Sequence, residues 1–309
     1  MHSDKRYDVI IVGGGPAGLS AGLLLGRCRR SVLICDAGNP RNARSGGIHG
    51  FLTRDSIIPG EFLQLAREEV QRYGVELCEV TVMSICEKHG GFELRLLDES
   101  VLHSRKVLLA TGVVDKLPNI EGIQSYYGKS VHHCPYCDGW EHHDEPIAVY
   151  GNSAGGTALS LTMKTWSKDV VLLTNGPAIL RAKEKEQLAK FGIQVYEKCI
   201  ARLEGDDGML RRIYFEDGDS IERTAIFFST GNVQRSKLPI DLGCTLTPKG
   251  AVRTTRGQKT SIQGVYVAGD AAKDVQYVVV AASEGAKAGM AINKELQEED
   301  QAFPSQEPQ

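Results

Sequence analysis

At 309 residues the chain is long enough for one large domain or two ordinary ones, each with a substantial core. Its 41% apolar and 24% charged residues, with a net charge of -3, are those of an ordinary globular protein. The basic residues are scattered, which excludes a nucleic-acid or anionic-membrane footprint, and no apolar run reaches the roughly 18 to 20 residues of a membrane helix.

The first predicted strand, Tyr7 to Val12, is a short apolar run rich in β-branched residues, as a buried parallel strand requires. It follows directly on MHSDKR and ends in glycines rather than in a small-residue cleavage site, so a cytoplasmic protein is expected. Gly13 to Gly18 breaks the strand. Leu19 to Leu25 then reads as helix, with Pro16 suited to its first turn, and Ser31 to Cys35 as a second strand ending at Asp36. The whole is one βαβ unit.

The segment Gly13-Gly14-Gly15-Pro16-Ala17-Gly18 fits G-x-G-x-x-G, a weak signal alone. Here it follows a strand, opens a helix and is followed by an acid at the end of the next strand. Each glycine has a physical task. Gly13 allows the tight turn, Gly15 lets a pyrophosphate approach the backbone, and Gly18 lets the helix pack on the strand. The helix start offers free N–H groups and a positive dipole end to phosphates. Asp36 can accept hydrogen bonds from a ribose.

Six of the eight cysteines (Cys28, Cys35, Cys78, Cys86, Cys199 and Cys244) stand alone and are expected to be mostly small buried residues. Cys134 and Cys137 differ. The stretch His132-His133-Cys134-Pro135-Tyr136-Cys137-Asp138-Gly139-Trp140 contains a C-x-x-C pair able to close a small, reducible disulfide. Pro135 suits a first helical turn, whose dipole favours a thiolate. Asp138 can give and take the proton that thiol–disulfide exchange must move. Two other readings of the pair stay open. One is a zinc site completed by His142 and His143, although adjacent histidines do not easily both ligate; the other is an inert buried pair.

Further on, Pro146 to Tyr150 is strand-like, Gly151 to Gly156 glycine-rich, Thr157 to Trp166 helical and Val170 to Leu173 a strand again. This second βαβ start suggests two doubly wound α/β domains with a duplicated pattern. Val113 to Gly122 and Asn232 to Pro239 each follow a T-G turn, contain a proline and read as interdomain joints. Residues 298–309, with Phe303 among them, read as a loose polar tail.

The V-I-I-V-G-G-G-P-A-G run, Leu108-Leu109-Ala110-Thr111-Gly112 and Gly264-Val265-Tyr266-Val267-Ala268-Gly269-Asp270 together resemble the FAD domain of the two-dinucleotide-domain flavoproteins. With C-P-Y-C-D-G between the two halves, the chain resembles the low-molecular-weight thioredoxin reductases from Tyr7 to about Leu296. The resemblance implies FAD held by Gly13, Gly15, Pro16, Ala17, Gly18, Asp36, Asn42, His49, Val82, Ala110, Thr111, Gly112, Gly269, Asp270 and Gln276. It implies that Cys137 faces the flavin, Cys134 attacks the substrate disulfide and Asp138 is the acid–base group. It also implies a homodimer and a split FAD domain, 1–115 and 244–309, around an inserted domain at 116–243.

The chain departs from that family at the nicotinamide site. Ser153 stands where the middle glycine of Gly151-Asn152-Ser153-Ala154-Gly155-Gly156 belongs. Leu173-Thr174-Asn175-Gly176 replaces the His-Arg-Arg cluster that pairs with a 2′-phosphate, and the nearest arginine, Arg181, lies five residues beyond Gly176. Val275-Gln276 replaces an Arg-Gln pair. NADPH use is therefore open. Three functions are compatible with the sequence: a reductase of a thioredoxin-like protein or small disulfide, fed by NADPH or a ferredoxin-type donor; a dithiol oxidase that uses oxygen; and a flavin redox sensor.

Overall fold

The computed structural model describes residues 5–88, 90–272 and 275–302. The chain divides into two compact units. One comprises Met1–Arg41, Ile58–Val114 and Val233–Gln309; the other comprises Asn42–Ile57 and Asp115–Asn232. The second crossing thus lies at Asn232–Val233 rather than at 244. Asn42–Ile57 also goes with the second unit, where Arg44 donates to the carbonyl of Gln124 at 2.7 Å. Such a tertiary pairing leaves no local trace in the sequence.

The first unit is built on a seven-stranded sheet in the order Glu76–Glu79, Val32–Asp36, Arg6–Val12, Val101–Leu109, Gly91–Leu96, Val82–Lys88, with Val265–Val267 also paired to Val101–Leu109. Its central strands are parallel, and Gly91–Leu96 and Val82–Lys88 turn back as an antiparallel meander. Successive residues of the first strand enter opposite cores. Ile10 and Val12 pack with Leu33, Leu94 and Val267 on one face, and Val9 and Ile11 with Val32, Ile34 and Leu25 on the other. This two-sided burial explains the continuous apolar run.

The first helix, Pro16–Arg27, lies against the C-terminal helix, Val278–Ala302. Glycines permit the approach: a Cβ on Gly285 would sit 2.0 Å from the carbonyl oxygen of Ala17. The C-terminal helix continues to Ala302, so 298–302 is helix and not loose tail; Phe303 and the residues after it lie outside the described residues. Ion pairs hold this end. Asp300 binds Arg30 at 2.6 Å and Arg105 at 2.8 Å, while Lys106 reaches Glu295 at 2.7 Å and also pairs with Glu299.

Glu295 is the hub of that cluster. Burial alone would raise its pKa, but bonds from Lys106, Lys259 and Tyr266 outweigh it and hold the carboxyl at about 2, against an ordinary 4.5. A folded-state value below the unfolded one stabilises the protein fully above about pH 4.5, and that contribution is lost as pH falls toward 2. The shift corresponds to roughly 3 kcal/mol. Denaturant unfolding of the wild type and Glu295→Gln should therefore differ by a gap that narrows as pH falls from about 6 to about 3. A gap unchanged over that range would refute the assignment.

The second unit has a five-stranded parallel sheet, in the order Gln194–Tyr196, Val170–Leu173, Ile147–Tyr150, Ala225–Phe228, Val131–His132. An antiparallel sheet of Ile200–Asp206, Met209–Phe215 and Ser220–Glu222 accompanies it. The helix after its glycine loop runs Ala154–Met163. Both units are α/β and carry a strand, glycine loop, helix and strand, Arg6 to Asp36 in the first and Ile147 to Leu173 in the second. Among the described residues no helix is long and apolar enough to cross a membrane.

Candidate active site

In the first unit the glycine loop has the geometry its spacing demands. Gly13 has φ +110°, and a Cβ there would lie 2.3 Å from the carbonyl oxygen of Ala110. A Cβ on Gly18 would lie 1.9 Å from the carbonyl oxygen of Gly13, so helix and turn close on each other. Around Gly15 the space is open: a Cβ would meet nothing within 4 Å. Pro16 begins the helix and Gly15 caps it in extended conformation with no side-chain bond, so the first-turn N–H groups of Ala17 and Gly18 face that opening.

Asp36 stands beside the loop. Its Oδ2 would touch a Cβ on Gly14 at 2.7 Å, and it accepts from Arg67 at 3.0 Å. Thr111 follows Ala110 at the end of the neighbouring strand. Its hydroxyl oxygen is shut off from solvent and has no hydrogen-bond partner among the described residues. Gly112, at φ +67°, has open space where a side chain would be.

Gly269 and Asp270 form a turn after Val265–Val267. Gly269, at φ +76°, presses on Ala17 of the loop helix, and its N–H donates to the buried carboxylate of Glu284 at 2.9 Å. Asp270 pairs with Arg41 at 2.8 Å. An opening beside bare helix N–H groups, an orphaned hydroxyl and two flanking carboxylates fit a dinucleotide with a ribityl chain. Sequence reasoning missed Arg41, Arg67 and Glu284.

The remaining expected cofactor residues are spread over both units. The side chain of Val82 is in the core of the first unit. Gln276 is half-buried ahead of the C-terminal helix. Asn42 and His49 belong to the second unit, where His49 Nδ1 lies 3.4 Å from both Ser56 Oγ and Glu141 Oε1.

In the second unit Cys134 and Cys137 are joined as a disulfide. Cys134 is extended and caps the single turn Pro135–Asp138. Gly139 is required there, because a Cβ would meet the carbonyl oxygen of Pro135 at 2.4 Å and the ring of Trp166 at 2.8 Å. Tyr136 and Trp140 are exposed beside the pair, Trp140 stacked on His143 with centroids 4.6 Å apart.

The histidines that sequence reading considered for zinc have other partners. His142 is buried, with Nε2 3.0 Å from Nε2 of His132 and Nδ1 2.9 Å from Oε2 of Glu145. Burial pushes its imidazole down toward the neutral form, against the Glu145 bond. His132, also buried, has Nδ1 3.4 Å from Oδ1 of Asp138. His133 Nδ1 lies 3.9 Å from Asp115.

Among the lone cysteines, Cys35 and Cys244 are buried, whereas Cys28, Cys86 and Cys199 are exposed, contrary to expectation for those three. Burial pushes the Cys35 thiol up to about 12, which keeps it inert.

The second glycine loop is more crowded than the first. Ser153 carries its side chain at the helix start, and a Cβ on Gly155 would be 2.8 Å from Ser229 Oγ. Asn175 is committed to the fold, accepting the N–H of Ile200 at 2.7 Å. The guanidinium of Arg181 is held by Glu184, with Nε to Oε1 at 2.8 Å.

Residues 7–285 match the model of the pyridine nucleotide-disulphide oxidoreductase family. A probable thioredoxin reductase of Arthroderma benhamiae is 33% identical over 96% of this chain and 82% of that protein. The crystal structure of a putative thioredoxin reductase, TrxB, from Bacillus anthracis superposes with a TM-score of 0.90 at 35% identity, covering 95% of this chain and 99% of that one. The crystal structure of HlmI superposes with a TM-score of 0.93 at 35% identity, covering 98% and 96%.

Proposed function

The chain belongs to the pyridine nucleotide-disulphide oxidoreductase family as a thioredoxin reductase-like flavoprotein disulfide oxidoreductase, and we propose that it cycles Cys134 and Cys137 between disulfide and dithiol to act on a thioredoxin-like protein or a small disulfide. The observation that carries this reading is the disulfide itself, closed across a single turn with Asp138 next to Cys137.

FAD would be held by Gly13, Gly15, Pro16, Ala17 and Gly18 at the phosphates, Asp36 at a ribose, Ala110, Thr111 and Gly112 along one edge, and Gly269 and Asp270 at the ribityl chain. Val82, through its backbone, and Gln276 complete the proposed set within the same unit. When bound, FAD supplies the two-electron store that exchanges with the pair.

The protein's own residues do the thiol chemistry. The Cys134 thiolate attacks one sulfur of the substrate disulfide, forming a mixed disulfide and expelling the first substrate thiolate. Cys137 then gives its proton to Asp138 and attacks Sγ of Cys134, expelling the second. The thiolate–thiol pair plus the substrate disulfide plus one proton yields the protein disulfide plus two substrate thiols. One proton must therefore come from outside in each turnover. A cytoplasmic homodimer is the form this reading takes.

The crowded second loop, with Asn175 and Arg181 committed elsewhere, supports a weak nicotinamide site. It favours a second reading, in which the same pair oxidises a small dithiol and oxygen is the final acceptor; under the reductase reading it favours a ferredoxin-type donor. An anaerobic titration of the yellow protein with NADPH, then NADH, then dithiothreitol separates them. We expect the dithiol to bleach the flavin's visible band and the nucleotides to bleach it slowly or only at high concentration. Prompt bleaching by micromolar NADPH would overturn the weak-site reading.

A further inference from the structure

The buried histidine pair has no place in the chemistry so far, yet it runs from Asp138 toward the surface. Each link is a distance within the second unit. Asp138 Oδ1 lies 3.4 Å from His132 Nδ1, His132 Nε2 lies 3.0 Å from His142 Nε2, and His142 Nδ1 lies 2.9 Å from Glu145 Oε2. The Glu145 side chain is 42% exposed, while those of His132 and His142 are 5% and 4% exposed. Phe227 covers both rings, with centroids at 5.3 and 6.1 Å, and keeps water from short-circuiting the path.

The tautomers are dictated by the neighbours. His132 Nε2 is also 3.1 Å from the carbonyl oxygen of Lys129, which only accepts, so that nitrogen carries the hydrogen. It can then be shared with His142 Nε2, which must be the bare nitrogen of its ring. His142 Nδ1 accordingly carries the hydrogen and donates it to the Glu145 carboxylate. His132 Nδ1 is left bare, facing Asp138. Every hydrogen points outward, from the cysteine pair to the surface, as a proton wire requires.

On the basis of the disulfide-exchange reading above, we infer that His132 and His142 form a proton relay that connects Asp138 with solvent at Glu145. As they stand these tautomers carry a proton outward: Asp138 gives one to His132 Nδ1, His132 Nε2 passes its hydrogen to His142 Nε2, and His142 Nδ1 releases its own to Glu145, which reverses both rings. In the reductive direction the reversed rings carry a proton back: Glu145 protonates the bare His142 Nδ1, His142 Nε2 passes its hydrogen to His132 Nε2, and His132 Nδ1 delivers its own to Asp138. This supplies the one proton the exchange consumes, and no bond between heavy atoms changes. In the oxidative direction the same path exports it. Neither histidine touches substrate; both act through Asp138.

The test uses the dependence of exchange on the leaving thiol. An aromatic disulfide such as 5,5′-dithiobis(2-nitrobenzoic acid) expels a stable thiolate that needs no proton, whereas hydroxyethyl disulfide expels an alkyl thiolate that does. The flavin-loaded protein is reduced anaerobically, freed of reductant and mixed with either probe. Reoxidation of the Cys134–Cys137 pair is followed by acid quench and thiol alkylation.

His142→Gln should slow reaction with hydroxyethyl disulfide about tenfold or more and leave the aromatic probe within about twofold, with added imidazole restoring the first. Glu145→Gln, at a side chain 42% exposed, should show the same selectivity at smaller amplitude. Equal slowing of both probes, or no slowing of either, would overturn the relay. If the wild-type pair reacts with neither probe, the exchange function itself fails and the relay with it.

Discussion

Cys137→Ser should lose disulfide turnover by about a thousandfold or more while the protein stays yellow. The substitution removes a single sulfur from a turn whose backbone is set by Pro135 and Gly139, and among the described residues Cys137 belongs to no core cluster. Cys134 would still attack a substrate disulfide, but the mixed disulfide would have no resolving thiol and would accumulate. Intact-mass measurement after exposure to a small disulfide should show one adduct per chain, trapped at Cys134. Cys134→Ser should give far less adduct, since the attacking sulfur is gone. Full turnover by Cys137→Ser would show that another thiol resolves the intermediate, and the exposed Cys28, Cys86 and Cys199 would be the ones to examine.

The second large effect is expected at Gly15. Gly15→Val should purify colourless and folded. The valine would fill the open space beside the first-turn N–H groups, where a Cβ now meets nothing within 4 Å. Overpacking of that kind costs up to about 3 kcal/mol, roughly a hundredfold in flavin affinity. The control is Gly18→Val. Its Cβ would stand 1.9 Å from the carbonyl oxygen of Gly13, so it should damage the fold as well as the cradle. Compared as flavin-free proteins, Gly15→Val should unfold with the wild type and Gly18→Val well below it. A yellow Gly15→Val protein would refute the cradle.

The contrast between these two glycines shows what was legible in the sequence. The turn, the bare helix start and the acid at the next strand end all lie within one βαβ unit, Gly13 to Asp36, so local spacing encodes them. The C-x-x-C turn is equally local. Partners from far along the chain were not legible. Arg41 and Asp270 meet across a separation of 229 residues, and Arg67 and Glu284 likewise arrive from other elements.

Composition misled at the C-terminal end of the described chain. Glu299 and Asp300 look like a solvated tail until Arg30, Arg105 and Lys106 are brought against them. His142 was read beside His143 as one of a possible ligand pair, whereas its partner is His132, ten residues earlier. A residue's neighbours along the chain rarely show which buried group will complete its hydrogen bonds.

Under the proposed function one flavin and the Cys134–Cys137 disulfide form a single redox system. An anaerobic dithionite titration of the yellow protein, followed at the flavin's visible band, tests it most directly. Full reduction should take about four electrons per chain, two for the flavin and two for the disulfide, against about two for Cys137→Ser. A wild-type protein fully reduced by about two electrons, with the disulfide still closed afterwards, would contradict the account.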